Sequence, residues 1–317
     1  MEYYQVIQNR AGQTAAVITQ YLPTLQIGNV DAAGLISKST ALDVLAQLRD
    51  DAMAASDTAV NAEHQGFLAI QNLTLQLPQA ALGLLDDTVP AESDLLDLLT
   101  PVFGIAPRTT ELALERAKKL KSALDKINSY LAAQVPPRGP ITTGGRTLAN
   151  LVMLTALHPP LEQAVEDTAS DVTEARTALR GAALELDRFN KRFYALLQAE
   201  ARTNAALAAA LGQITTDNAN QPRTLGIKSI LQGGNDNLHL LVAYDNGSYD
   251  DTYTSTLEWQ VVGTDADFTH SAAVDPSGNT LGSFAVGKTV KIRSRTTNAN
   301  GTTTGSIRTL TILPPAP

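Results

Sequence analysis

With no cysteine among its 317 residues, the chemistry open to this chain rests on four histidines and 32 carboxylates. Thiol nucleophiles, iron–sulfur clusters and zinc fingers are excluded. His64 and His158 fall in helical patterns, where a di-iron centre would need Glu-x-x-His pairs so that two ligands leave one helical face. Asn61 and Thr155 stand three residues before them instead. The expectation is therefore no metal, with His64 near the surface beside Glu63 and His158 at a helix end before Pro159-Pro160. His239 and His270 fall on expected strands in ordinary surface or half-buried roles. Asp245, Asp250, Asp251, Asp265 and Asp267 gather in loops where oxygen ligation of calcium is conceivable. They lack a calcium-loop spacing, so hydrated turns are the preferred reading.

Other reaction chemistries fail on spacing. A phosphate cradle needs Gly-x-x-x-x-Gly-Lys-Ser/Thr or Gly-x-Gly-x-x-Gly, and a hydrolase elbow needs Gly-x-Ser-x-Gly; none occurs. Gly144-Gly145 and Gly233-Gly234 read as turns. Glycoside hydrolysis needs paired carboxylates in a cleft with flanking aromatics, yet aromatics make up only 5% of the chain. Glu166, Asp167, Asp171 and Glu174 read instead as the solvated face of a helix, at favourable spacing to Arg176 and Arg180. No catalytic residue, metal ligand or cofactor is assigned, and the expectation is that the protein is not an enzyme.

Contact chemistry is better represented. Tyr244, Tyr249 and Tyr253 surround one loop, and tyrosine buries a large area at small entropic cost. With Asn298 and Asn300 from the Asn- and Thr-rich segment 296–305, they make the expected contact surface. Two alternatives stand beside this: one or two tyrosines fill the end of a core, and 296–305 is a simple hairpin.

The elements that must position these groups follow from periodicity. Leu45, Leu48, Ala52, Ala55, Ala59, Ala62, Gly66, Ala69 and Leu73 alternate steps of three and four, a heptad seam whose small residues admit a neighbouring backbone. The stretch Ala52, Ala55, Ala59, Ala62, Gly66, Ala69 is the expected packing seam, within the chain or onto another copy. A second long pattern starts after Pro159-Pro160, which suit a first helical turn. Helices are also expected over 2–21, from Thr109 or Thr110 to 131, and over 146–157, with short helices across 75–105. Together they predict an elongated antiparallel helical bundle.

Near 212–222 an alanine-rich run gives way to Gly212 and a polar linker, and the pattern changes to alternating strands. Two domains are expected, 1–220 and 221–317. The second reads as seven strands, over 225–231, 237–244, 255–262, 268–274, 280–284, 289–296 and 306–313. Residues 222–317 carry 7 basic and 8 acidic groups, net -1, which leaves -7 of the total -8 on 1–221. That sign gives no attraction to nucleic acid or anionic lipid.

The chain opens Met1-Glu2-Tyr3-Tyr4-Gln5 with no cation before Arg10, so no secretory leader is visible. The longest uncharged run, 65–85, is interrupted by Gln65, Gln71, Asn72, Thr74, Gln76, Pro78 and Gln79, and membrane insertion is not expected.

Trp259 on the third expected strand and the stretch 284–293 leading into the sixth resemble the fibronectin type III family, which buries a tryptophan at the first of these places and has its turn into the sixth strand at the second. Asn298, Gly301 and Ser306 fall where the family often places Asn, Gly and Ser. Val290 departs from the pattern, standing where the family usually has its corner tyrosine, which leaves a more distant immunoglobulin-like sandwich as the alternative. The resemblance covers about the last 95 residues and implies a binding or spacer module, usually found on extracellular, cell-surface or phage-borne proteins. The overall expectation is a structural or adhesive protein that assembles with copies of itself, with another surface protein or a glycan as the further candidate partner. The alternative is a helical pore-forming toxin with a β-sandwich recognition domain, for which 65–85 is the candidate membrane segment.

Overall fold

The computed structural model describes residues 3–104, 106–214, 222, 224–233, 238–245, 252–298 and 301–314. Its N-terminal part is helical: α1 (Tyr3–Tyr21), α2 (Ala32–Leu82), α3 (Pro90–Asp97), α4 (Thr110–Ala132), α5 (Leu148–Ala201) and α6 (Ala205–Leu211). Side-chain caps start several of them. Asp31 Oδ1 accepts the Gly34 N–H at 2.7 Å before α2. Thr109 accepts from Leu112 at the head of α4, and Asn204 from Leu207 at the head of α6. A two-residue turn at Gly144-Gly145 joins strands β1 (Thr142–Thr143) and β2 (Arg146–Thr147). Both glycines have positive φ, as such a turn requires.

Two helices differ from the expected boundaries. The short helix 146–157 and the long one after it are a single helix, α5, with Pro159 and Pro160 in its interior. Each proline removes one N–H and crowds the carbonyl four residues back. Here Pro159, Pro160 and Ala156 are exposed and Thr155 is half-buried, so the interrupted turn faces solvent, while Leu151 and His158 hold the other face in place. α2 likewise runs on through the buried Pro78 to Leu82, leaving only α3 and a 3-10 turn at Thr100–Val102 as short helices.

The C-terminal part has eight strands among the described residues, one more than expected: β3 (Ile227–Gly233), β4 (His239–Tyr244), β5 (Thr254–Val261), β6 (His270–Ala273), β7 (Asn279–Leu281), β8 (Thr289–Asn298), β9 (Gly301–Thr304) and β10 (Arg308–Thr311). All pairings are antiparallel, in one sheet ordered β3-β4-β7 and another ordered β10-β8-β5-β6 with β9 also on β8. The additional strand comes from 296–305, whose Thr302, Thr303 and Thr304 pair with Thr297, Thr296 and Arg295. β9 and β10 are separated at Gly305, where a Cβ would run into the Ser294 hydroxyl, itself bound to the Leu225 carbonyl. Ile230, Leu240, Val242 and Leu281 from one sheet share a core with Leu257, Val290, Ile292 and Leu310 from the other.

Packing divides the chain into two compact units, and they do not follow the change from helix to strand. One contains Met1–Thr58 and Asp167–Leu313; the other is built on Ala59–Glu166. In the first, α1, the start of α2, the end of α5 and α6 share a core around Ile18, Leu35, Leu42 and Phe193. There α2 and α5 run antiparallel, with Lys38 meeting Glu185 and Met53 meeting Arg176. In the second, Ile70, Leu73, Leu77, Leu120, Leu124, Ile127 and Leu151 form the core. No helix among the described residues is long and apolar enough to cross a membrane.

The strands join the first unit through a buried ion pair between α2 and β10. Arg308 donates from Nε to Asp57 Oδ2 at 2.6 Å, from a terminal nitrogen to Asp57 Oδ1, and to the Ile227 carbonyl at 2.8 Å. Asp57 is 3% exposed. Burial pushes its carboxyl above the ordinary range, and Arg308 offsets that only in part. Removing one member of such a pair strands the other charge, whereas replacing both with apolar groups is often tolerated. Arg308→Met is therefore expected to cost about 3–5 kcal/mol in urea unfolding, and the double variant Asp57→Leu/Arg308→Met to recover most of it. Equal stability of the single variant and the wild type would remove the pair from any organising role.

Candidate functional site

The inward face of α2 explains where unusual chemistry gathers. Its buried residues include a run at every fourth position, Arg49, Met53, Asp57, Asn61, Gln65, Ala69, Leu73, Leu77 and Ala81, which winds slowly round the helix because a turn takes about 3.6 residues. The stripe is polar from Arg49 to Gln65 apart from Met53, and apolar beyond. The expected small-residue seam lies beside it. Ala69 is buried, Ala52, Ala59, Ala62 and Gly66 are half-buried, and Ala55 is exposed. Gly66 has a specific neighbour: a Cβ there would lie 2.9 Å from Leu161 Cδ1 and 3.9 Å from His158 Cδ2. Its missing side chain lets α5 approach α2 at this level.

At this close approach lies a cluster that the sequence reading missed. His158 lies inside α5 with no exposed surface, which corrects its expected place at a helix end. Its Nε2 is 3.2 Å from Glu63 Oε1 on α2, and its Nδ1 is 3.5 Å from Glu162 Oε1 one turn along α5. These contacts lack the alignment of hydrogen bonds, and both ring nitrogens are without a hydrogen-bond partner. The three residues can offer ligand atoms within 4.8 Å of one another. The Glu63 carboxylate also receives the Thr110 hydroxyl at 3.4 Å. The available signal was His158-x-x-x-Glu162, an i,i+4 pair on one helical face. Starting a new helix at Pro159 separated its two members. His64, next to Glu63, is half-buried, and burial lowers its pKa against a partial opposing effect of Glu63.

The expected contact residues divide differently. Tyr244 is 5% exposed and fills the core, its hydroxyl donating to Asn279 Oδ1 at 2.6 Å. It is a packing residue, the alternative left open by the sequence, and burial raises its pKa, with the Asp275 charge adding to the effect. Tyr253 and Asn298 are half-buried; Tyr249, Asn300, Asp250 and Asp251 lie outside the described residues. Asp245 and Asp267 are exposed. Asp265 closes a turn, accepting the Val261 N–H at 2.7 Å and standing 3.1 Å from His270 Nε2. His270 in turn stacks on Trp259, with ring centroids 5.5 Å apart. Glu166, Asp167, Asp171 and Glu174 are all exposed.

Compared with known protein families and with curated proteins, the sequence matches none.

Two predictions follow from these side chains. Tyr244→Phe keeps the ring and deletes the hydroxyl bond, so it should lower unfolding stability by about 1 kcal/mol; an unchanged denaturation midpoint would show that the bond to Asn279 adds nothing to stability. Asp265 has its pKa lowered, mainly by the Val261 N–H and further by His270. A carboxyl that is more acidic when folded adds stability above its unfolded pKa and loses it as pH falls through the folded value. Melting curves taken from neutral to acid pH should therefore show a smaller acid-induced decline in Asp265→Asn than in the wild type.

Proposed function

We propose that this chain is a non-enzymatic structural or adhesive protein that assembles with copies of itself. Its helical region would serve as the scaffold, and a fibronectin-III-like β-sandwich as the contact module. In this reading β9 is an addition to the seven-stranded pattern, and the helices form an elongated antiparallel bundle.

The observation that carries the proposal is an apolar stripe on the outer side of α2. Ile36, Val44 and Leu48 are 45%, 60% and 54% exposed, while Leu35 and Leu42 on the same helix are fully buried. Val44 and Leu48 lie one turn apart on one face, and Ile36 lies on the same outer side two turns before Val44, with Thr40 between them. Exposed apolar side chains in register along one helix suit lateral contact with another copy. The Asp57–Arg308 pair supports the second half of the proposal, because it fixes the strands to the same unit that carries this stripe.

The membrane-acting alternative has less support, since 65–85 contributes Ile70, Leu73, Leu77, Ala81 and Leu85 to a core. Light scattering and negative-stain imaging of the purified chain test the proposal. Ordered multimers are expected, and Val44→Glu/Leu48→Glu should shift them at least tenfold toward the monomer. A wild-type chain that stays monomeric throughout a concentration series would overturn the reading.

A further inference from the structure

We propose that His158, Glu63 and Glu162 form a binding site for a divalent transition-metal ion of the zinc class, linking α2 to α5. A buried imidazole normally satisfies both nitrogens, one as donor and one as acceptor. His158 has no exposed surface and no hydrogen bond at either nitrogen, although a carboxylate stands beside each. A ligand that takes the Nε2 lone pair resolves this arrangement.

The distances suit such an ion. Two ligands on one zinc, each about 2.0–2.2 Å from the metal, lie about 3–3.5 Å apart. His158 Nε2 and Glu63 Oε1 are 3.2 Å apart. Glu162 Oε1 lies 3.5 Å from Nδ1, and one ligand atom from each of the three residues falls within 4.8 Å of the others, so Glu162 can add a second carboxylate oxygen to the same ion. The two carboxylates also supply charge for the cation. An imidazole ligand favours zinc and its neighbours over magnesium or calcium, which prefer oxygen. The side chains of Glu63 and Glu162 are 26% and 53% exposed, giving the ion a route to the buried histidine. Gly66 keeps the helices close at this level, and Thr110 steadies Glu63.

The test uses the full, untagged chain, stripped with chelator and titrated calorimetrically with zinc chloride; cobalt(II) absorption provides a spectroscopic readout. One zinc per chain is expected, with a melting temperature that rises as zinc is added. Glu63→Gln should weaken binding at least 100-fold and abolish that rise. Glu162→Gln, which removes the second carboxylate charge offered to the ion, should weaken it at least tenfold. Both altered side chains are partly exposed, so these variants remain informative if His158→Ala fails to fold. His270→Ala, removing the His270–Asp265 contact, should bind zinc as the wild type does. Absence of saturable zinc binding to the wild type, or unchanged affinity in Glu63→Gln, would overturn the proposal.

Discussion

The arrangement depends on a requirement set by α2: between Arg49 and Gln65 its inward face is largely polar, and buried polar groups must be met. The helix cannot turn Asp57 to solvent without also turning out the buried Met53, one turn away on the same face. The chain satisfies the charge from far along its sequence, with Arg308 on β10 reaching Asp57. A buried ion pair is weak evidence for added stability, because the cost of removing both charges from water nearly offsets their attraction. Its stronger effect is selective. Alternative positions of β10 would leave Asp57 or Arg308 without its opposite charge, and that penalty favours the observed docking over other apolar contacts.

The same requirement explains why helix and strand do not separate into packing units. Composition changes clearly near residue 220, and the last helix and first C-terminal strand, ending at Leu211 and starting at Ile227, lie on either side of it. Compactness follows contacts instead, and a buried pair 251 positions apart in sequence places the strands with the first half of α2. Local periodicity carries information about which residues are helical or extended. It carries little about which distant charge meets which.

Legibility varied for physical reasons. The α4 cap at Thr109, the Gly144-Gly145 turn and the alternation through Leu257, Trp259 and Val261 are encoded within a few residues, and each could be read locally. The packing face of α2 was harder, because a search for apolar spacing selects Ala52, Ala55, Ala59 and Ala62 and passes over Asp57, Asn61 and Gln65. β9 was hidden because Thr and Asn suit both an exposed hairpin and a loop. Tyr244 was ambiguous because a tyrosine near a strand end can point into the core or out of it, and only packing decides.

The diproline shows how one local rule can conceal a site. Proline lacks a donor and commonly begins a helix, so Pro159-Pro160 reads as a boundary and assigns His158 and Glu162 to different elements. That rule assumes the freed carbonyls and crowded rings are costly. On a solvent-facing turn they are cheaper, and the buried face anchored by Leu151 and His158 carries the helix through. Once α5 is continuous, His158 and Glu162 stand one turn apart on one face, and Gly66 brings Glu63 to the ring from α2. The histidine is wholly buried and its carboxylate partners come from both helices. An ion held there would therefore act on the joint between α2 and α5, a role consistent with a chain whose other buried charges also fasten one element to another.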